Sequence, residues 1–162
     1  MRIDYATAAD IRAVALAMRQ PDFDEFVALA QTDDRIELAD VLAARYAGRP
    51  DVMVAFWEAQ PVAVGGLVEN RPHVLTALFF ATDAFPQIAL EVSYTVARML
   101  RDIKASDVHR IEAVSLVGHD EAHRWIRHFG LQPEGSPMRG YGKNGEAYQQ
   151  FAWVKDACAP SA

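Results

Sequence analysis

The side chains of this sequence that could do chemistry are most concentrated in the stretch GHDEAHRWIRHFG, which runs from Gly118 to Gly130. His119 and His123 stand four residues apart with acids between them, a spacing similar to the zinc-protease signature H-E-x-x-H. That site needs both histidines on one helical face, a glutamate that polarises the metal-bound water, and a third ligand from elsewhere. Asp120 holds the glutamate position here, and its side chain is one methylene shorter.

An ordinary amphipathic helix explains the same stretch better. Gly118 and Asp120 are typical of a helix start, with Asp120 capping the first turn, so His119 would lie outside the helix and lose the zinc-binding geometry. Apolar residues at positions i, i+3, i+4 and i+7 define the predicted buried face, namely Ala122, Trp125, Ile126 and Phe129. The predicted wet face carries mostly His123, Arg124, Arg127 and His128. The sequence therefore predicts no metal site.

Length and composition restrict the remaining possibilities. A chain of 162 residues that is 51% hydrophobic has the size of one domain with a substantial core. We expect a single domain over residues 1–154 and a flexible tail over residues 155–162. The one cysteine, Cys158, excludes an intramolecular disulfide and a cysteine-rich zinc site. The first twenty residues lack the unbroken apolar core of a signal peptide, so a reducing cytoplasm is the predicted compartment.

The net charge of −6 is uneven along the chain. Residues 1–81 carry 12 acidic and 7 basic side chains, whereas residues 82–162 carry 10 and 9. The second half is therefore the predicted location of an anionic ligand. No run of Lys and Arg occurs, and no window approaches the roughly 18 apolar residues of a membrane span, so neither nucleic acid nor a membrane is an expected partner.

The elements that must position the candidate residues follow from periodicity and turn residues. After a short strand at 2–6, the residues Thr7 to Asp10 resemble a capping box with Asp where Glu or Gln is usual, and helical spacing follows. Between Asp22 and Gly48 lie two apolar faces at helical spacing, which the turn-like residues 32–34 separate. A second helical stretch is predicted from Pro86 to Lys104. The other predicted strands are 52–58, 62–69, 74–81, 110–117 and 148–154. The order βααβββαβαββ indicates an α/β domain with a mixed sheet.

The C-terminal third resembles the GCN5-related N-acetyltransferases (GNAT), in particular those that acetylate protein N-termini or small amines. In that family a strand leads into a helix of pattern N-x-x-A-x-x-L-Y-x-x-x-G-F, followed by a strand with E-G, an Arg, a glycine turn and a closing strand. The matching residues of this sequence are Ala122, Gly130, Glu134, Gly135 and Arg139. The N-terminal RIDYATAADI is similar to the family's first strand and capped helix. The combination of G-H-D-E-A-H-R-W and M-R-G-Y-G-K-N-G is most similar to GNAT-like proteins of tailed bacteriophages.

This resemblance covers roughly residues 1 to 154 and implies the GNAT fold, a mixed, mostly antiparallel central sheet flanked by helices on both faces. It also implies acetyl-CoA as the cofactor. In the family, the strand corresponding to 74–81 hydrogen-bonds the pantetheine arm as an added strand would. The resemblance places this contact at Phe79, Phe80, Ala81 and Thr82. It places the phosphates near Gln87, Arg124 and Arg127.

Two departures from the family pattern affect this prediction. The family's pyrophosphate loop, Q/R-x-x-G-x-G/A, brings backbone N–H groups close to the phosphates. The corresponding Thr82–Ala89 has no glycine, adds the charge of Asp83, and lacks one donor at Pro86. Ile126 stands where many family members place the tyrosine that protonates the leaving thiolate, and isoleucine cannot donate a proton. We therefore expect acetyl-CoA binding that is weakened rather than absent.

Amine acetylation also needs a base that removes a proton from the ammonium nucleophile. Two candidates are best placed in the predicted fold: Glu69 at the end of the third strand and His119 at the mouth of the last strand–helix loop. Glu69 could instead belong to a solvent loop, and His119 could be a helix-entry residue. The side chains that could also supply a proton are Ser115, Tyr141 and Tyr148.

Two functions are consistent with these features. The first is an acyl-CoA-dependent N-acyltransferase that acetylates a protein N-terminus, a lysine or a small amine. The second is a phage-encoded GNAT-fold pseudoenzyme or binding module that engages a host protein in the bacterial cytoplasm, since the loop glycines and the tyrosine are absent. Fold alone does not decide between them. The sequence leaves open a homodimer through an exposed sheet edge or the region of Phe23 and Phe26.

Overall fold

The computed structural model describes residues 1–156, so Cys158 and most of the predicted tail lie outside the described residues. The strands are β1 (Arg2–Tyr5), β2 (Val52–Trp57), β3 (Gln60–Arg71), β4 (Val74–Ala81), β5 (Arg110–Leu116), β6 (Gln132–Pro133) and β7 (Tyr148–Val154). The α-helices are α1 (Ala8–Leu16), α2 (Gln20–Val27), α3 (Arg35–Tyr46), α4 (Ala89–Lys104) and α5 (Asp120–His128). None of these helices is both long and apolar enough to cross a membrane.

The predicted mixed, mostly antiparallel sheet is confirmed. The strands follow the order β1-β2-β3-β4-β5-β7-β6, and every neighbouring pair is antiparallel except β4 and β5. Apolar layers cover both faces, as predicted. On one face, α1 and α3 pack against β2, β3 and β4, and on the other, α4 and α5 pack against the sheet around Ile111 and Phe151.

The region between β1 and β2 contains three helices, whereas the predicted order has two. The chain leaves α1 to reach the end of β4, where Met18 forms a bridge with Thr82 and the Arg19 N–H donates to the Ala81 carbonyl at 2.9 Å. A second break precedes α3, because the Asp34 side chain caps that helix. The first break depends on a strand some sixty positions away, which local periodicity does not reveal. The predicted capping box of α1 is present.

Strands β4 and β5 diverge soon after they begin. They pair only where Val74–Thr76 lies beside Arg110–Glu112, although β4 continues to Ala81 and β5 continues to Leu116. Their carboxyl ends therefore border an opening in the sheet. The chain leaves β4 for α4 and leaves β5 for α5, so both following helices begin at this opening.

The alternation of backbone groups along β4 decides which of them face the opening. The Thr82 N–H donates to the Val62 carbonyl of β3 at 2.9 Å, and the register between the two strands is regular from there back to Leu75. Successive residues of an antiparallel strand direct their N–H and C=O groups to opposite sides. Phe80 therefore bonds β3, whereas the backbone groups of Phe79 and Ala81 face the opening.

Candidate active site

Helix α2 closes one side of the opening with two carboxylates that lie one helical turn apart. Asp22 Oδ2 accepts the Ala81 N–H of β4 at 2.8 Å, and Glu25 Oε2 accepts the Leu116 N–H of β5 at 3.0 Å. Each carboxylate satisfies a strand donor that the missing β4–β5 pairing leaves without a strand partner. The helix thus connects the two strand edges where they have separated.

His119 lies between these two carboxylates. Its Nδ1 is 2.9 Å from Glu25 Oε2, and its Nε2 is 3.5 Å from Asp22 Oδ1. The residue is only 8% exposed, and within residues 1–156 its Nε2 has no hydrogen-bond partner. A neutral imidazole that donates from Nδ1 to Glu25 carries a free acceptor lone pair on Nε2. The arrangement can therefore take up a proton.

Burial and neighbouring charges alter the protonation of this cluster. The hydrogen bond that His119 Nδ1 donates to Glu25 raises the pKa of His119 above its usual value, against the opposing effect of burial. Burial raises the pKa of Asp22, although the Arg19 guanidinium, 2.9 Å from Asp22 Oδ1, favours the ionised carboxylate. Both shifts favour the protonated forms, so the Asp22–His119 pair holds a proton more readily than the same groups in water.

The β6–β7 region supports α2 from the other side. The Tyr148 hydroxyl donates to the Glu25 backbone carbonyl at 2.5 Å, and the Lys143 N–H donates to the Ala28 carbonyl at 2.9 Å. Burial raises the pKa of Tyr148, so this phenol stays neutral and remains a donor. The site is therefore assembled from α2, the ends of β4 and β5, and β7.

The geometry after β5 does not match the zinc-protease alternative. As predicted, His119 precedes α5, and its side chain contacts α2. Asp120 is the first helical residue rather than the cap, because His119 occupies the cap position without a capping side-chain bond. Across residues 1–156, no group of three or more His, Cys, Asp or Glu side chains could hold a metal ion.

The predicted exposure of His123 is wrong. Its ring packs against Phe151 of β7 with 5.0 Å between ring centroids, and its Nε2 is buried without a hydrogen-bond partner in the described part of the chain. Burial lowers the pKa of His123, which favours the neutral form of this half-buried ring. The other three residues of the predicted wet face, Arg124, Arg127 and His128, are exposed.

Glu69 lies at the opposite end of β4 from His119. It pairs with Leu75 near the start of β4, its side chain is exposed, and its Oε1 accepts the His73 N–H at 2.8 Å. His119 is instead connected to the end of β4 through Asp22. The structure therefore does not bring the two predicted catalytic residues together.

The four predicted contacts on β4 differ in what they offer to a ligand. The Phe79 backbone faces the opening, and Phe80 bonds β3 while its side chain is fully buried. The Ala81 N–H is bonded to Asp22, and its carbonyl accepts the Arg19 N–H. The Thr82 N–H is bonded to β3. Of the two residues whose backbone groups face the opening, Ala81 is bonded to Asp22 and Arg19, so Phe79 is the one that can offer its backbone to a ligand.

The loop between β4 and α4 uses its backbone donors internally. The donors with partners inside the 82–88 segment are the N–H groups of Ala84, Phe85, Gln87 and Ile88. Pro86 has no N–H to offer. The side chains of Gln87, Arg124 and Arg127 are exposed. Arg124 borders a cleft of about 920 Å³ that includes the opening, and Arg127 lies over the Phe151 ring. This loop is not a ready cradle for phosphate.

Sequence reasoning did not indicate the partners of His119. Asp22 and Glu25 look like the polar positions of a surface helix, yet Asp22 is only 3% exposed. The available signal was their i, i+3 spacing beside the aromatic residues Phe23 and Phe26, which places two acids along the border of the buried face. Arg19, which pairs with Asp22, gave no signal of its own.

The fold defined by this sheet, with its divergent parallel pair, is that of the GNAT superfamily of acetyltransferases. No family model matches the sequence, and no curated protein matches it. The likeness is therefore one of three-dimensional structure at low sequence identity.

Three bacterial enzymes illustrate the likeness. The ribosomal-protein-alanine N-acetyltransferase of Brucella melitensis has 19% identity and a TM-score of 0.68, with coverage of 95% of this chain and 99% of that one. The GNAT superfamily phosphinothricin acetyltransferase of Sinorhizobium meliloti, solved in complex with acetyl-CoA, has 17% identity and a TM-score of 0.68, with coverage of 99% and 92%. The ribosomal-protein-S18-alanine N-acetyltransferase of Escherichia coli has 10% identity and a TM-score of 0.68, with coverage of 99% and 97%.

Proposed function

We propose that this protein is an acyl-CoA-dependent N-acyltransferase that transfers an acetyl group to an amine, either a protein N-terminus, a lysine or a small amine. The observation that carries the proposal is the imidazole of His119, held between two carboxylates at the divergence of β4 and β5. The shared fold supports it, because the structural relatives are acetyltransferases and one of them was solved with acetyl-CoA.

The residues around the opening fit an acyl-CoA in part. The Phe79 backbone faces the opening and can pair with an amide-bearing arm. The first-turn N–H groups of α4 precede its first helical bond, from the Val92 N–H to the Ile88 carbonyl, so they are available to a phosphate. Arg124 adds an exposed positive charge beside the cleft. The loop between β4 and α4 has few free N–H groups to offer to the phosphates, and we therefore propose acetyl-CoA as a weakly held cofactor.

When bound, acyl-CoA supplies an activated acetyl thioester. The chain itself must remove a proton from the ammonium form of the acceptor, because only the neutral amine is nucleophilic. His119 suits this role, since Glu25 holds the Nδ1 proton and leaves Nε2 to accept another. Nε2 is covered by protein, so this role requires a water that bridges the acceptor amine and the ring. Ile126 packs among apolar side chains and supplies no proton.

The direct test is acetyl transfer from acetyl-CoA to a panel of peptides and small amines by the parent and by His119→Gln. A general base contributes about 10²- to 10⁴-fold, so the variant should lose at least about tenfold in kcat while it still binds acetyl-CoA. Equal turnover would overturn the role of His119. Absence of transfer by the parent to every acceptor would overturn the proposed activity.

Glu69→Gln compares the second candidate base in the same assay. Because Glu69 is exposed at the far end of β4, we expect this variant to turn over at the parent rate. A loss equal to that of His119→Gln would instead return Glu69 to the catalytic role.

A binding module without acyl transfer is the second candidate function. The internally bonded loop and the isoleucine at position 126 favour it. A tailed-phage origin and a host-protein partner belong to this candidate. A homodimer is compatible with either candidate, and light scattering after size-exclusion chromatography would measure it. Robust acetyl transfer, together with no specific partner in a pull-down from bacterial lysate, would eliminate the binding module.

A further inference from the structure

Helix α2 is attached to the opening by two separate kinds of contact. Its apolar side packs into the core, where the rings of Phe26 and Phe80 meet edge-on with 5.4 Å between centroids. Its polar side presents Asp22 and Glu25 to the two strand edges and to His119. Because the apolar contact also holds the helix against the core, the two carboxylates are not its only anchors.

We infer that α2 positions the proposed base, with Glu25 fixing the tautomer and direction of the His119 ring and Asp22 fixing its place beside β4. This inference rests on the proposed function, in which His119 accepts the acceptor's proton. It makes Asp22 and Glu25 positioning residues, which act through His119 and do not contact the substrate.

Glu25 leaves His119 a single tautomer. Its Oε2 receives the Ser115 hydroxyl at 2.8 Å, the Leu116 N–H at 3.0 Å and His119 Nδ1 at 2.9 Å. Two donors from β5 hold this carboxylate in place, so the third group bonded to it must also donate. The neutral ring therefore carries its proton on Nδ1, and Nε2 becomes the acceptor.

Asp22 connects the other side of the ring to β4. Its Oδ2 accepts the Ala81 N–H, and its Oδ1 accepts from Arg19 and lies 3.5 Å from His119 Nε2. Arg19 is itself bonded to β4 through its N–H and the Ala81 carbonyl. The charged groups that face the ring are thus Glu25 and Asp22 from α2 and Arg19 from the preceding corner, with the neutral Ser115 on β5. An imidazolium formed during proton transfer would be stabilised between two carboxylates.

The test uses Glu25→Gln and Asp22→Asn in the full chain, with Asp24→Asn as the matched control. Asp24 is an exposed carboxylate of the same helix whose bond goes to the Gln20 side chain at 2.6 Å. Two quantities are measured: the titration of the His119 ring by NMR, assigned with His119→Gln, and the separate kcat and KM values for acetyl-CoA.

For Glu25→Gln we expect the His119 titration to move to lower pH and kcat to fall at least about tenfold, with KM for acetyl-CoA unchanged. Asp22→Asn should move the titration in the same direction by a smaller amount, because Asp22 is farther from the ring. Asp24→Asn should change neither quantity. If Glu25→Gln does not fold, the comparison of Asp22→Asn with Asp24→Asn still tests the inference, because only Asp22→Asn should move the His119 titration.

A His119 titration that is identical in the parent and in both site variants would overturn the inference. A titration that moves as expected while kcat stays at the parent value would support α2 as the positioning element and overturn the role of His119 as base. A purely structural role would lower the melting temperature of the variants without moving the ring's titration or kcat at a temperature where they are folded, and that result would also overturn the inference.

Discussion

At the scale of single residues, two opposing effects act on the protonation of His119. It is almost fully buried, yet it is bonded to one carboxylate and adjacent to a second. Burial alone would keep the ring neutral, but the hydrogen bond to Glu25 outweighs that effect and raises the pKa of His119. The stability of the protein must therefore depend on the protonation of this residue.

We predict that His119→Gln destabilises the protein more at pH 6 than at pH 9. A histidine whose folded-state pKa is raised contributes stability that is complete below the unfolded value, about 6.5, and is lost as the pH rises through the folded-state pKa. Urea unfolding of the parent and the variant at a series of pH values measures the difference. A gap for His119→Gln that widens with pH would contradict the assigned cause.

The sequence predicted part of this residue-level picture. The glycine and acids around His119 correctly placed it before a helix, because helix starts have a local chemical signature. Asp22 and Glu25 could not be connected to it, since their partners lie some ninety positions later in the chain. His123 was misplaced because its ring packs against Phe151 of β7, a contact that the apolar stripe of α5 does not indicate.

At the scale of elements, two adjacent glycines in β3 have different structural roles. A Cβ at Gly66 would collide with the Asp51 backbone carbonyl, whereas a Cβ at Gly65 would make an ordinary contact with the Phe79 ring at 3.4 Å. The Asp51 carbonyl is part of the backbone and cannot move aside as the end of a flexible side chain could. Gly66 therefore permits the close approach of β3 to the start of β2, and Gly65 does not have this role.

We predict that Gly66→Ala lowers the free energy of unfolding by about 1–3 kcal/mol, the usual cost of an added group without space. Gly65→Ala should change it by less than about 1 kcal/mol, because the new methyl fits and the unfolded chain loses some entropy. Denaturant unfolding of the two variants beside the parent gives both values. Equal effects would show that the local spacing of β2 and β3 does not set the cost.

At the scale of the whole molecule, the fold was more predictable than the site. Turn residues and β-rich runs indicated most strands, and their order led to the mixed sheet that the structure has. The divergence of β4 and β5 was not readable from composition, because both strands continue as good β sequence past the point where they separate. The opening is a property of the assembled sheet.

We predict that acetyl-CoA raises the melting temperature of the intact protein. A ligand at about 100 times its dissociation constant stabilises the native state by roughly 2.7 kcal/mol. For a domain of this size that corresponds to a shift of about 5 to 11 °C. The measurement is thermal melting in millimolar acetyl-CoA, with adenosine diphosphate as the control for loose nucleotide binding. The Ala84→Gly, Pro86→Gly double variant should show a larger shift, because it adds an N–H at position 86 and glycine lets the backbone approach the phosphates more closely. No shift in either protein would overturn the cofactor proposal.

The contacts of Glu25 also determine when the opening can form during biosynthesis. This residue bonds Ser115, Leu116 and His119, which follow it by 90, 91 and 94 positions. At a translation rate of about 5–20 residues per second, Glu25 is synthesised roughly 5 to 19 seconds before its last partner. Throughout that interval the Glu25 side chain lacks the three partners that it has in the folded protein. The opening is thus expected to be among the last parts of the nascent chain to become ordered, after the long β4–β5 connection has closed.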